Sequence, residues 1–346
     1  MRFDPQPHAL IGTDGRPHLG LFADSITHIN GRDGNYRTAM GKPASRRARH
    51  FHYKQFQYFG VLSDELLIGC ALADTAYLGI AFFYLYDTAT ATLTEFTWRA
   101  PLSRALTMSD SPVAGESRFT RGQVALRMGY HQDAQGQRHK SLDVDLPGVR
   151  LNAMLHEPPG YQPMSICTRT GINGWTYANK VAGVAISGEL HTAGRRWDLA
   201  RLAGAGGHHD FSAGYMRRET FWNWACFSGR VNERYLGLNL SCGVNETSVN
   251  ENCLWLDNRL IKVDGTRFDY DPDNLERPWR ITSRCGQIAL TFTPQGKHRE
   301  RLNLGLFASN FQQLFGRFQG EIRLQGEAPM PVHDLYGFVE EQYAKW

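Results

Sequence analysis

The chain has no run of about 18 consecutive apolar residues, the length a membrane-spanning helix requires, so no integral membrane segment is expected. Its six cysteines, at 70, 167, 226, 242, 253 and 285, include no C-x-x-C pair and no close His–Cys spacing. A structural zinc site or a disulfide framework is therefore not expected. Cys70, Cys226 and Cys242 fall inside candidate strands, where a free thiol behaves as a small apolar group. Neither sign of charge dominates: 38 basic residues against 34 acidic leave +4, too little to imply nucleic acid. The N-terminal stretch MRFDPQPHALIGTDGRPHLG lacks the apolar core of a signal peptide. The expected setting is cytoplasmic and reducing. No recognisable catalytic expression occurs, and no cofactor or metal is expected. Oligomeric state is not readable.

Rings and glycines are plentiful instead: aromatic residues make up 12% of the chain and glycines number 35. That pairing suits short strands joined by tight turns. Residues 1–45, rich in Gly, Pro, His and Asp, read as an irregular lead-in packed on the body. A basic cluster follows, Arg46, Arg47, Arg49, His50, His52 and Lys54, just ahead of an aromatic strand. It reads either as a solvated strand entry or as a patch for phosphate or headgroups. Apolar runs at 56–62, 66–72 and 76–86, with a return at 92–98, predict an antiparallel meander in which Ser63-Asp64-Glu65 is a tight connection. Alternation resumes at 123–130, 140–146 and 149–155, and Asp264-Gly265 is a type I′ hairpin signal. Glycine-rich Ala203–Gly207 is the candidate boundary, giving one β unit over 46–204 and a second over 205–346. Many strand-like segments and no long amphipathic helix predict an all-β sandwich or barrel.

The densest chemistry lies in GHHDFSAGYMRRETFWNWACFSGR, residues 207–230. Tyr215 to Phe227 reads as one aromatic strand. At the strand period of two, Thr220, Trp222, Trp224 and Cys226 share one face, while Phe221, Asn223, Ala225 and Phe227 share the other. His208, His209, Asp210, Arg217 and Glu219 crowd its entrance. Downstream, Leu236, Leu238 and Leu240 oppose a small polar face bearing Asn239, as on a strand that lines a cavity.

The order DFSAGYMRRETFWNWACFSGR, GLNLSCG, NENCLWLDNRLIKVD and a closing GFVEEQYAKW, with NKVAGVAISGEL upstream, resembles the family called domain of unknown function 2804, from about Arg46 onward. The resemblance implies two consecutive lipocalin-like antiparallel β-barrel or half-barrel units. It also implies a distant similarity to carotenoid 1,2-hydratases, tocopherol cyclases and AttH-like proteins, which is architectural and does not transfer function. The matching polar positions are Lys180, Asp210, Arg217, Thr220, Trp222, Trp224, Asn239, Glu251, Asn252 and Glu340.

Each candidate has a sharp and a plain reading. Asp210, in an aromatic-lined cavity, would hold a proton near neutral pH and act as an acid; alternatively it caps a turn. His209 and Glu251 are the other catalytic candidates. His208 and His209 read as a proton shuttle or as loop histidines, since strand neighbours point oppositely and cannot share one metal. Trp222 and Trp224 would wall an apolar ligand or stabilise a cation, or simply fill a core. Arg217 and Glu219 read as a rim ion pair, with each other or with Glu251, or as a clamp on a ligand carboxylate. Asn239 and Asn252 would orient a ligand carbonyl or satisfy a bulge. Lys180, if buried, would pair with a carboxylate such as Asp210 or Glu340.

The main cavity is expected largely within the second unit, holding a small apolar or ring-stacking ligand. The expected function is acid-assisted hydration, cyclisation or isomerisation of a terpene-, lipid- or polyketide-like molecule. A non-catalytic carrier of a hydrophobic molecule and a carbohydrate-active enzyme with paired carboxylates are the alternatives.

Overall fold

The computed structural model describes residues 3–231 and 234–346. Strand accounts for 62% of it and helix for 4%, so the all-β expectation holds, as one nearly closed barrel and one half-barrel. The predicted meander forms as strands Tyr53–Leu62, Leu66–Asp74, Leu78–Asp87 and Thr92–Pro101, each antiparallel to the next. Its first turn is closed locally: the Ser63 hydroxyl accepts the Leu66 N–H at 2.9 Å and donates to the Leu66 carbonyl at 2.8 Å.

The first sheet continues from Tyr53–Leu62 to Gly206–Tyr215, then to Gly174–Thr192, Val149–Glu157, Arg138–Leu146, Val124–Gln132 and Gly115–Arg121. Its two ends approach one another where Trp98 meets Phe119, ring centroids 6.1 Å apart. The second sheet runs Arg259–Lys262, Cys253–Leu256, Arg234–Cys242, Glu219–Val231, Met330–Lys345, Ala308–Ile322, Ile288–Asn303, Trp279–Ser283 and Thr266–Asp269. Residues 3–45 pack on the body irregularly. Leu10, Ile11, Phe22, Ile26 and Ile29 bury against Trp175, Tyr177 and Phe211, and Gly20–Phe22 pairs with Met164–Thr170. The basic cluster forms a short helix, Arg46–His52, capped by Ser45, whose hydroxyl accepts the Ala48 N–H at 3.1 Å.

Three local expectations change. The sheet does not change at 204/205: Gly206–Tyr215 lies at the centre of the first sheet, between Tyr53–Leu62 and Gly174–Thr192. The chain crosses over at 216–218, so the expected continuous strand Tyr215–Phe227 breaks there, where Arg217 and Arg218 have no apolar face to bury. Asp264-Gly265 joins Arg259–Lys262 to Thr266–Asp269, which pair with different neighbours rather than with each other. Neither residue has the positive φ that a type I′ turn needs.

The two sheets face each other, and at one end they touch backbone to backbone. Gly183 sits at a bulge between Ala182 and Val184 with φ +69°. A Cβ there would lie 2.6 Å from the Gly237 nitrogen, and one on Gly237 would lie 2.5 Å from the Ala182 carbonyl carbon. Only glycine fits this crossing. Ser228 ties it, accepting the Gly183 N–H at 2.9 Å and donating to the Gly207 carbonyl at 3.1 Å. Away from this joint the facing strands run on to Lys180, Asp210, Trp224 and Ser241, where the gap is no longer filled. A cavity of about 150 Å³ opens there.

Candidate active site between the two sheets

The cavity wall comes from both sheets, not largely from the second. Lys54, Phe82, Lys180, Asp210 and Ser212 contribute from the first; Trp222, Trp224, Ser241, Glu340 and Gln342 contribute from the second. Strand register sets the neighbours. Asp210 is directly across from Lys180, and Trp224 stands between Ser241 and Glu340. Glu340 in turn pairs with Gln313.

Lys180 is the electrostatic centre. Its Nζ lies 2.8 Å from Asp210 Oδ2 and 3.6 Å from Glu251 Oε1, and 4.5 Å from the centre of the Trp224 ring. Burial opposes the charge, but Asp210 and Glu251 outweigh it and hold the ammonium above the ordinary lysine pKa. Glu251 is buried too, yet Lys180 and hydrogen bonds from Ser241 (2.6 Å) and Asn245 (3.0 Å) keep its pKa below the usual value. Asp210 moves the other way. Burial raises it, opposed by Lys180, and the neighbouring Glu251 charge adds to the rise. One cation thus serves two carboxylates.

Glu340 differs from both. Its side chain is buried, accepts the Trp222 Nε1–H at 3.3 Å and the Gln313 amide at 2.7 Å, and has no cation in contact among the described residues. Burial pushes its pKa up to about 8. At neutral pH it is a neutral carboxylic acid on the cavity wall. Its alternation signal was present in GFVEEQYAKW, since Phe338, Glu340, Gln342 and Ala344 share a face at period two.

The remaining predicted residues divide clearly. Asp210, Glu251, Lys180, Trp222, Trp224 and Arg217 line the cavity. Asn239 and Asn252 are buried behind it as supports. Asn239 accepts the Trp224 Nε1–H at 2.8 Å and donates to the Glu251 carbonyl at 3.0 Å, and Asn252 accepts the Ser241 N–H at 2.6 Å. Arg217 donates to the Gly243 carbonyl at 3.2 Å at the mouth, and its expected ion pair with Glu219 or Glu251 is not formed. Glu219 is exposed, with Lys345 at 3.7 Å, and stands outside the cavity.

His209 also lies outside. Strand alternation sends Asp210 between the sheets and His209 to the opposite face, where its Nε2 meets the Tyr130 hydroxyl at 3.0 Å. Burial holds its pKa well below the ordinary histidine value, so it stays neutral. His208 shares the side of Asp210 but packs deeper, against Tyr58 and Phe338, with neither ring nitrogen hydrogen-bonded. Burial and Lys180 push its pKa down to about 3. Among the described residues no group of three or more His, Cys, Asp or Glu side chains is placed to hold a metal ion. Among the described residues no helix is long and apolar enough to cross a membrane.

Fold and site define an all-β, two-sheet protein with a cavity of aromatic and acidic walls between its sheets. The chain belongs to the family described as Domain of unknown function (DUF2804), whose model matches residues 24–346. The crystal structure of kievitone hydratase from Nectria haematococca is similar, with a TM-score of 0.47 and 10% identity, covering 84% of this chain and 88% of that one. No match is found among curated proteins.

Proposed function

We propose that the inter-sheet cavity is an active site for acid-assisted hydration, cyclisation or isomerisation of a small, largely apolar molecule. The observation that carries this reading is Glu340, a buried carboxyl held neutral up to about pH 8 on an aromatic wall that also bears the Lys180–Asp210–Glu251 cluster. The acid role passes from Asp210 to Glu340 because Asp210 is engaged by Lys180, whereas Glu340 has only neutral donors. In a hydration, Glu340 gives its proton to an alkene carbon, forming a C–H bond and a carbocation. Water adds its oxygen to the cation, and Asp210 takes the released proton. In a cyclisation or isomerisation the cation is instead quenched by an internal bond or by loss of a different proton. The excess negative charge around Lys180 and the Trp222 ring favour the positive intermediate. A cavity of about 150 Å³ accepts about one benzene-sized ring.

Mass spectrometry of the small molecule extracted after gentle purification identifies the probe. With it, Glu340→Gln is expected to bind normally and lose at least about 100-fold in turnover, and wild-type turnover is expected to fall above about pH 8. A ligand that leaves wild type and Glu340→Gln equally unaltered would make the protein a carrier and end the catalytic reading. The carbohydrate reading is not favoured, because Asp210 and Glu251 share one ammonium rather than facing each other across an open groove.

A further inference from the structure

Large apolar side chains are exposed at eight positions among the described residues, and six of these, Met40, Tyr77, Leu102, Ile172, Leu304 and Leu306, sit on turns that connect to residues lining the cavity. Leu304 and Leu306 are carried by the turn that ends in cavity-lining Phe307, and the Leu306 carbonyl accepts from Arg218. Ile172 tips the hairpin that leaves cavity-lining Thr170, where Gly171 packs on Arg217. The Asn173 amide of that hairpin reaches the Arg37 carbonyl, beside the turn bearing Met40. The ring of Tyr77 lies under cavity-lining Lys54 at 4.9 Å, and its carbonyl accepts the Leu102 N–H at 2.9 Å. Ile172 and Leu306 are 84% and 76% exposed, so these are projecting tips rather than the edge of a buried core.

The same rim is basic. The helix Arg46–His52 has no acidic residue, and its Phe51 stacks on Tyr77 with centroids 4.7 Å apart. Lys42, Arg46, Arg47 and Arg218 are exposed there. Exposed acids are fewer: Glu219, opposed by Lys345 at 3.7 Å, Asp33 between the Arg32 and Gly34 carbonyls that take Arg49, and Glu246 beside Thr247, whose hydroxyl donates to the Arg169 carbonyl. Separate apolar tips framed by cations are the pattern of a surface that dips into the headgroup region of an anionic bilayer. Projections on different turns leave no continuous flat face of the kind a folded protein partner would cover.

We propose that this face docks on an anionic lipid surface, setting the cavity mouth against the bilayer from which an apolar ligand would enter. The docking itself rests on the position of the mouth and not on the chemistry proposed inside it.

The test is sedimentation of the full chain with vesicles of phosphatidylcholine alone or with phosphatidylglycerol added. Binding is expected only to the anionic vesicles, weakening as salt screens the cations. Arg46→Gln with Arg47→Gln is expected to weaken it roughly 25-fold, at about five-fold per cation. Leu304→Asp with Leu306→Asp is expected to weaken it at least about ten-fold. Arg150→Gln, on the strand that meets the opposite end of Gly174–Thr192, should leave it unchanged. No sedimentation with either vesicle, equal binding to both, or binding that survives both rim variants would overturn the proposal. An acidic protein captured at the rim without any vesicle binding would overturn it too. Urea midpoints equal to wild type show that the variants fold. Turnover of a ligand supplied in solution should persist in the rim variants, so failure of docking and failure of the Glu340 chemistry are separately visible.

Discussion

Two buried lysines occupy ion-pair clusters of different charge balance. Lys140, inside the first sheet, lies 2.6 Å from Glu157, which Arg138 also approaches at 3.1 Å. Arg138 in turn holds Asp24 at 2.5 Å, so two cations meet two carboxylates. Lys180, between the sheets, meets Asp210 and Glu251 alone. Burial opposes the charge on both. It prevails at Lys140, whose pKa falls despite Glu157, and is outweighed at Lys180, whose pKa rises. The neutral cluster is a clasp that closes a barrel interior. The cluster with one carboxylate in excess lies on a cavity wall, where a positive guest would complete it.

The largest expected effect separates the two directly. Lys180→Met strands two buried carboxylates and should cost about 3–5 kcal/mol of stability. Lys140→Met leaves Glu157 with Arg138 and should cost about 2 kcal/mol. Urea denaturation measures both, and equal losses would erase the distinction. Next is the pH dependence that Glu340 adds. Its folded pKa of about 8 stands above the ordinary glutamate value of 4.5, so the folded state holds a proton that the unfolded chain releases. This contribution to stability is full below about 4.5 and is lost as pH rises through about 8, by at most about 1.4 kcal/mol per pH unit. Glu340→Gln should flatten that slope, and a slope that persists would assign it to another group. The smallest effect is at the exposed edge. Glu219→Gln should change stability by no more than about 0.5 kcal/mol and leave ligand binding untouched.

Much of the fold is local enough to be read from the chain. The meander from Tyr53 to Pro101 follows from apolar runs and short polar breaks, and the shared face of Trp222 and Trp224 follows from alternation. The pairing of Lys180 with a carboxylate follows from the cost of burying an isolated charge. What could not be read depends on distant partners. Gly206–Tyr215 joins the first sheet because it pairs with Tyr53–Leu62, and nothing near residue 206 encodes that choice. Once it does, Asp210 faces the second sheet and His209 the barrel interior, so one long-range pairing keeps the first as a candidate and removes the second. Glu340 is legible in alternation, but its lack of a contacting cation among the described residues is set by the four strands that meet around it.

The contact of Gly183 with Gly237 gives the molecule the mechanics of a hinged jaw. Because the sheets meet there without side chains, their spacing at that end is set by two residues outside the cavity lining, while Tyr58 packed on Trp224 and Phe338 sets it nearer the cavity. A methyl group on Gly237 has no room against Ala182, so the sheets would have to part at the pivot and the gape would widen farther out. The bite of this protein could thus be retuned from behind, with every residue that meets the guest left as it is.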